Sequence, residues 1–296
     1  ANATVELSDT SVDAAQINAI TNVAGVVTAI NADLTGSVSD VKDFITSDAV
    51  IKTNYNVTLS DATISSTDLA TINGDNGTGT ITLQNATIIN VASGETIDLS
   101  DYTIVNSVTI NDSSTSDENI IGTASSDILN LGSGNDTINL GNGDDTINVA
   151  TMSNLTSADV ITDSSGTDTL NINGAGTIAS TDFNINGFEN LNLSSGVDEV
   201  TFSDKSSFDT FTNKFTNIDT KADNDEFSFS SQVTEDLDFS KVSNLEKLSF
   251  SGADDTVTFG SDELGAGIGT LDLGNGANTV NLNANTSSSI KSLKGH

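Results

Sequence analysis

The 296-residue chain has no cysteine, no proline, no tryptophan and no arginine, and its one histidine, His296, is the last residue. Each absence closes a class of chemistry. A Ser-His-Asp triad, an H-E-x-x-H zinc site and a cysteine nucleophile all need residues that are missing. Disulfides cannot staple the fold, although this does not exclude an extracellular location. The lack of proline suits a chain whose backbone N–H groups are nearly all committed to a continuous ladder. Aromatic sugar platforms favour tryptophan and tyrosine, and only Tyr55 and Tyr102 are present. His296 reads as a frayed end or the remnant of a purification tag. No apolar run approaches the ~20 residues that span a bilayer. Residues 1–10, ANATVELSDT, have neither a basic nor an apolar leader region. Starting within a repeat and ending in SLKGH, the chain reads as an excised piece of a longer protein.

Negative charge, by contrast, is abundant. Forty-two acidic residues, only nine of them Glu, face nine lysines, for a net charge of −33. Such a surface repels phosphate backbones and anionic lipid, which argues against nucleic acid and membrane as partners. Self-repulsion also disfavours a compact state unless cations offset it. Hydrophobic residues make up 35%, below the usual level, yet they recur too regularly for disorder. Asp and Asn oxygens are hard ligands, so the expected stabiliser is calcium rather than zinc or copper.

Repetition is the dominant pattern. VELSDTSVDAAQINAI at 5–20 returns as VTLSDATISSTDLATI at 57–72. Each copy reads as a short strand, a polar corner and a helical stretch capped by Ser or Asp, with Ile17 and Ile20, then Leu69 and Ile72, at i, i+3 spacing. VVTAI at 26–30 followed by SVSDVKDFI at 37–45 is a half-period copy. Residues 1–115 thus read as strand–helix solenoid turns.

A nine-residue period follows. GTASSDILN at 122–130, LGSGNDTIN at 131–139 and LGNGDDTIN at 140–148 carry Asp at the sixth place and an aliphatic residue at the eighth. NLTSADVIT at 154–162 and DSSGTDTLN at 163–171 keep the pattern, with Asp159 and Asp168. LGNGANTVN at 273–281 has Asn278 in place of the acid and reads, like 250–258, as a turn without calcium. Farther on, FENLNLSSGVDEVTF at 188–202 aligns with LEKLSFSGADDTVTF at 245–259, and nine of the twelve Phe lie between 202 and 259. Those Phe read as core stacking in successive coils. The acidic pairs Asp144–Asp145 and Asp254–Asp255 lack any sign of a raised-pKa acid beside a nucleophile, so no catalytic activity is expected.

The nonapeptide has a mechanical reading. Gly at the second and fourth places lets the turn adopt restricted conformations, aiming successive carbonyls at a cation that the sixth-place carboxylate closes. The tripeptide that follows is a strand with one aliphatic side chain facing the core. Two units make one coil, so turns 18 residues apart stack on one edge. Asp127 and Asp145 share an edge in this reading, with calcium between their turns, and Asp136 lies opposite. The expected metal-site residues are Gly122, Ala124, Ser126, Asp127, Leu131, Ser133, Asn135, Asp136, Leu140, Asn142, Asp144, Asp145, Asp159 and Asp168. Each coil buries two or three aliphatic residues, worth roughly 1.5–3 kcal/mol apiece. That is too little to order some eighteen residues at ~1–2 kcal/mol each, so folding is expected to be coupled to metal binding.

At these residues the chain resembles the RTX, or haemolysin-type, calcium-binding repeat proteins, over roughly 117–172. The central units depart from the family pattern in carrying Leu131 and Leu140 where a first Gly is preferred. GFENLNL at 187–193, NLEKLSF at 244–250 and the Asp-poor nonapeptides are similar to the bodies of bacterial surface-layer proteins. The resemblance implies type I secretion, calcium-dependent folding and an extracellular or cell-surface location. The expected fold is all-β: an elongated right-handed parallel β-solenoid with short helices in its N-terminal turns, an RTX-type β-roll over 116–175 and further solenoid over 176–296. The expected function is structural, a segment or subunit of a self-assembling surface layer whose partner is itself and for which cell-surface polysaccharide is a candidate partner. Alternatives are a stalk or binding segment of a type I-secreted adhesin, and the calcium-folding passenger of a secreted enzyme or toxin.

Overall fold

The computed structural model describes residues 3–7, 11–29, 33–47, 50–51, 54–259, 266–282 and 290–295. The corner at 8–10 of the first repeat and His296 lie outside the described residues. Every strand pair is parallel, and the strands are mostly three or four residues long. Alternate residues of each short strand face the core, as Ile138 does in Thr137–Asn139 and as Leu129 and Leu131 do in Ile128–Leu131.

Stacking these strands gives continuous sheets. The longest has nine strands, in the order Thr63–Ser65, Ile88–Val91, Thr109–Asp112, Ile128–Leu131, Thr146–Val149, Thr169–Ile172, Asn190–Asn192, Asn217–Asp219 and Val242–Ser243. Its register places Ile64, Ile89, Ile110, Leu129, Ile147, Leu170, Leu191, Ile218 and Val242 in one buried column. A five-stranded sheet from Thr96–Asp98 to Ile185–Asn186 forms another wall, with Ile97, Ile120, Ile138, Ile161 and Ile185 as its core column. The ladder runs unbroken through residues 115/116 and 175/176, since Thr109–Asp112 pairs with Ile128–Leu131 and Thr169–Ile172 with Asn190–Asn192. On the outer face of the long sheet, the side chains of Asn90, Asn111, Asn130, Asn148, Asn171 and Asn192 form a chain of amide hydrogen bonds of 2.7–3.1 Å.

Three helices lie in the N-terminal coils: α1, Ala14–Ala24; α2, Val38–Thr46; and α3, Ser66–Asp75. Ser37 and Ser65 cap α2 and α3 by accepting the N–H of Asp40 and Asp68, which satisfies an orphan donor of the first turn. The Lys42–Asp68 ion pair, 2.5 Å, ties α2 to α3.

Two features differ from the sequence reading, and the register adds a third. The long repeats do not stack on their own copies. Ala3–Leu7 pairs with Gly25–Ala29, whereas the matching Val57–Leu59 pairs with Asp33–Gly36 and Ile81–Leu83. One coil takes 22–24 residues here, as in Ser11 opposite Asp33 and Val57 opposite Ile81, so a 52-residue offset moves a strand to a different wall. Likewise, the 18-residue coil joins Asp127 to Asp145, but the next step, Asp145 to Asp168, is 23 residues, because the chain inserts a 3-10 turn at Met152–Asn154. Finally, α4, Lys205–Thr212, stands in the Phe-rich region, capped by Asp204 and burying Phe208 and Phe211. The phenylalanines there fill the core: Phe202 stacks on Phe229, and Phe229 lies parallel to Phe250 at 5.3 Å and 8°. Among the described residues, no helix is long and apolar enough to cross a membrane.

Candidate metal centre

Many coil corners are built on a three-residue unit: an acid, an outward residue and a buried core residue. Examples are Glu118-Asn119-Ile120, Asp136-Thr137-Ile138 and Asp145-Thr146-Ile147. The acid precedes the strand, so its carboxylate lies at the sheet edge and accepts the N–H of the corresponding residue one coil earlier. On one edge Val108 N donates to Asp127 Oδ1 (3.2 Å), Asp127 N to Asp145 Oδ1 (2.6 Å), and Asp145 N to Asp168 Oδ1 (2.7 Å). On the other, Glu118 N donates to Asp136 Oδ1 (2.9 Å) and Asp136 N to Asp159 Oδ1 (2.7 Å). Asp127 and Asp145 therefore share an edge, and Asp136 lies on the opposite one.

Two carboxylate triplets stand out. Asp112, Glu118 and Asp136 bring one oxygen each within 4.8 Å of one another, and so do Asp145, Asp163 and Asp168. The second oxygens of Glu118, Asp136, Asp145, Asp163 and Asp168 are buried and accept no hydrogen bond. A buried unpaired carboxylate oxygen is costly, and several converging on one point call for a cation. The space is kept open by glycine: a Cβ on Gly132 would sit 2.6 Å from the Asp112 carboxylate, and one on Gly166 2.8 Å from Asp168 Oδ1. All-oxygen donors with room for a large, irregular coordination shell fit calcium.

Electrostatics agree. Burial, reinforced by Asp112, Glu118 and Asp159, pushes the Asp136 carboxyl up to about 7 despite the Glu118 N–H. Burial also raises Asp163 to about 7 and Asp145 to about 6, with neighbouring carboxylates adding to both shifts.

The sequence-expected residues divide accordingly. Asp136, Asp145 and Asp168 join the triplets. Asp127 and Asp159 are buried but satisfied: Asp127 Oδ2 accepts Thr123 N and Oγ1, and Asp159 Oδ2 accepts Thr156 N. Leu131 and Leu140 place their side chains in the core, and Gly122 is buried with its N–H on Asn139 O. Ala124, Ser126, Asn135, Asn142 and Asp144 are exposed and Ser133 half-buried. Several of these join adjacent turns: Asp144 N donates to Ser126 Oγ, Asn135 N to Asp117 Oδ1, Ser165 Oγ to Asn142 Oδ1, and Ser133 Oγ to Asn154 Oδ1.

Three triplet members are new. Glu118 was legible, being the sixth place of 113–121 with Ile120 at the eighth. Asp163 occupies a first place, normally glycine. Asp112 ends the strand Thr109–Asp112 outside any sixth place, and only folding brings it to Glu118 and Asp136.

Together, the stacked coils and edge carboxylates define a calcium-binding parallel β-roll. Residues 112–147 match the RTX calcium-binding nonapeptide repeat, in four copies, so the central segment is an RTX-type calcium-binding array. No curated protein and no solved structure matches the chain.

Proposed function

We propose that the protein is a structural component of the bacterial cell surface, secreted and self-assembling in calcium as part of a surface layer. The supporting observation is the continuity of the carboxylate-edged solenoid, in which coil after coil repeats one architecture well beyond the 112–147 array. The acidic pairs support a structural rather than catalytic role. Asp145 belongs to a triplet while Asp144 faces outward and accepts Thr167 N. Asp255 is buried and bound by Val233 N. Burial also sorts the acids available for bridging copies: Asp223 and Asp254 lie at the surface, whereas Asp225 and Asp255 are interior and Glu226 pairs with Lys247. Electron microscopy of purified protein with and without calcium tests the reading, ordered sheets in calcium alone being expected. Protein that folds with calcium yet binds a cell-surface polysaccharide as a monomer would favour the adhesin segment instead.

A further inference from the structure

The Phe-rich half contains a turn that no glycine marks. In TKADNDEFS, 220–228, Asp225 holds the sixth place and Phe227 the eighth. The second and fourth places are Lys221 and Asp223, with φ of 73° and 122°. The most complete nonapeptide has Gly141 and Gly143 at those places, with φ of 107° and 128°, and the unit at 273–281 has Gly274 and Gly276, with φ of 60° and 119°. Only one other non-glycine residue among those described, Asn244, has a positive φ. Side chains resist such conformations, and a chain keeps them where its surroundings over-determine the backbone. The turn before Asp225 therefore follows the nonapeptide path without the residues that make the path easy.

A second observation, independent of the backbone, points to a ligand. Asp225 is fully buried; its Oδ1 accepts Asp198 N at 2.8 Å, while its Oδ2 is buried and accepts nothing. The next rung meets it from the other side, Asp225 N donating to Glu246 Oε2 at 3.1 Å. Burial raises the Asp225 carboxyl, and Asp198, Glu246 and Asp223 raise it further. Asp198 is already satisfied, with Gly176 N on Oδ1 and Ser194 N and Oγ on Oδ2. The two lysines flanking the turn are engaged elsewhere, Lys221 with Asp219 and Asn192, and Lys247 with Glu226. Asp255 also has a buried unpaired oxygen, but Asp254 is the one carboxylate that raises its pKa.

We propose that the turn 220–225 is a further divalent-cation site, of calcium type, with the unpaired Oδ2 of Asp225 as its buried ligand and the charges of Asp223 and Glu246 adding to its attraction for the ion. It lies outside the segment that matches the repeat family, and it extends metal binding into the coils whose core is phenylalanine. A cation there removes the repulsion among three carboxylates and ties the 220–225 turn to the next rung.

Calcium titration of the full chain by calorimetry, with bound metal counted after equilibrium dialysis, tests this. Asp225→Asn keeps the shape and removes the charge, and is expected to bind one calcium fewer than the unmodified protein. Asp223→Asn changes only an exposed side chain, so the fold is retained, and is expected to weaken one site at least tenfold. Asp145→Asn is the reference for the nonapeptide array and must lose calcium whatever happens at Asp225. If Asp145→Asn loses calcium while Asp223→Asn and folded Asp225→Asn keep every ion at unchanged affinity, the proposed site is overturned and the array stands. Should Asp225→Asn fail to fold, Asp223→Asn decides alone.

Discussion

At the scale of single residues, the determining feature is which carboxylate oxygens hydrogen bonds leave over. Asp127 spends both on N–H and O–H donors, while Asp145 keeps one buried and unpaired. Asp145→Ala is therefore expected to lose bound calcium, whereas Asn278→Ala is not, because Asn278 carries no charge and its amide already donates to Leu273 O. Calorimetric titration of the two variants checks this, and equal losses would mean the sites are misplaced. The same oxygens set the pH response. Asp136 and Asp163 titrate near 7 and Asp145 near 6 in the folded chain, against 3.8 for the ordinary group. Between about pH 4 and 7 the folded state thus holds protons that the unfolded state has released, so stability falls as pH rises through that window. In chelator the protein is expected to melt at a higher temperature at pH 5 than at pH 8. Calcium takes the place of those protons and should remove or reverse the difference. A melting temperature independent of pH in chelator would contradict the assignment.

At the scale of the coil, two means of tying rungs together alternate along the solenoid. The central coils converge carboxylates on shared points. The Phe-rich coils use lysine as well: Lys214 Nζ reaches Ile185 O, Lys241 Nζ reaches Thr212 O, and Lys221 Nζ ends the asparagine ladder at Asn192. Their cores differ to match, stacked aliphatic residues such as Leu129, Leu131, Ile138 and Leu140 against interlocking rings. Calcium should accordingly raise the melting temperature far more than magnesium, which demands tight octahedral geometry and sheds water reluctantly. Equal melting temperatures in calcium and in chelator would sink the reading of the central coils. Phe202 packs against Phe208, Phe211, Phe227 and Phe229. Phe202→Ala is expected to destabilise by about 3–5 kcal/mol while leaving the affinity of the 112–168 sites unchanged, as read by denaturation in saturating calcium beside a titration.

For the whole molecule, a charge of −33 governs how copies meet. Two copies side by side repel over about a Debye length, ~8 Å at physiological salt. Monovalent salt only screens that repulsion, but a divalent ion held between exposed carboxylates replaces it with attraction. Extracellular calcium sites commonly have dissociation constants of ~10⁻⁴–10⁻³ M, so assembly is expected to begin near millimolar calcium. Light scattering across a calcium series, with magnesium and matched sodium chloride as controls, reads the threshold. Protein that is folded and monomeric at every calcium concentration would count against the surface-layer proposal.

How much of this was legible before folding depended on whether the information was local. The acid–x–aliphatic unit is local: one residue must reach the edge and the next but one must face the core, so Asp145 and Ile147, or Asp168 and Leu170, can be read from spacing alone. The opposite edges of Asp136 and Asp145 follow from the same period of nine. Coil length is not local: the 3-10 turn at Met152–Asn154 and helix α4 lengthen individual coils without disturbing the strands, and the 22–24-residue coils of the N-terminal region leave a repeat of 52 residues stacked on something other than its own copy. Nor is the composition of a metal site local. Asp112 reaches Glu118 and Asp136 only because two coils lie side by side, and Asp127 lies outside both triplets, with Thr123 N and Oγ1 on its Oδ2. Sequence alone determined the parallel coils and the chemistry of their edges, since both follow from a few adjacent residues. The tertiary structure decided which carboxylates share a point, because that depends on how many residues each coil uses to come around.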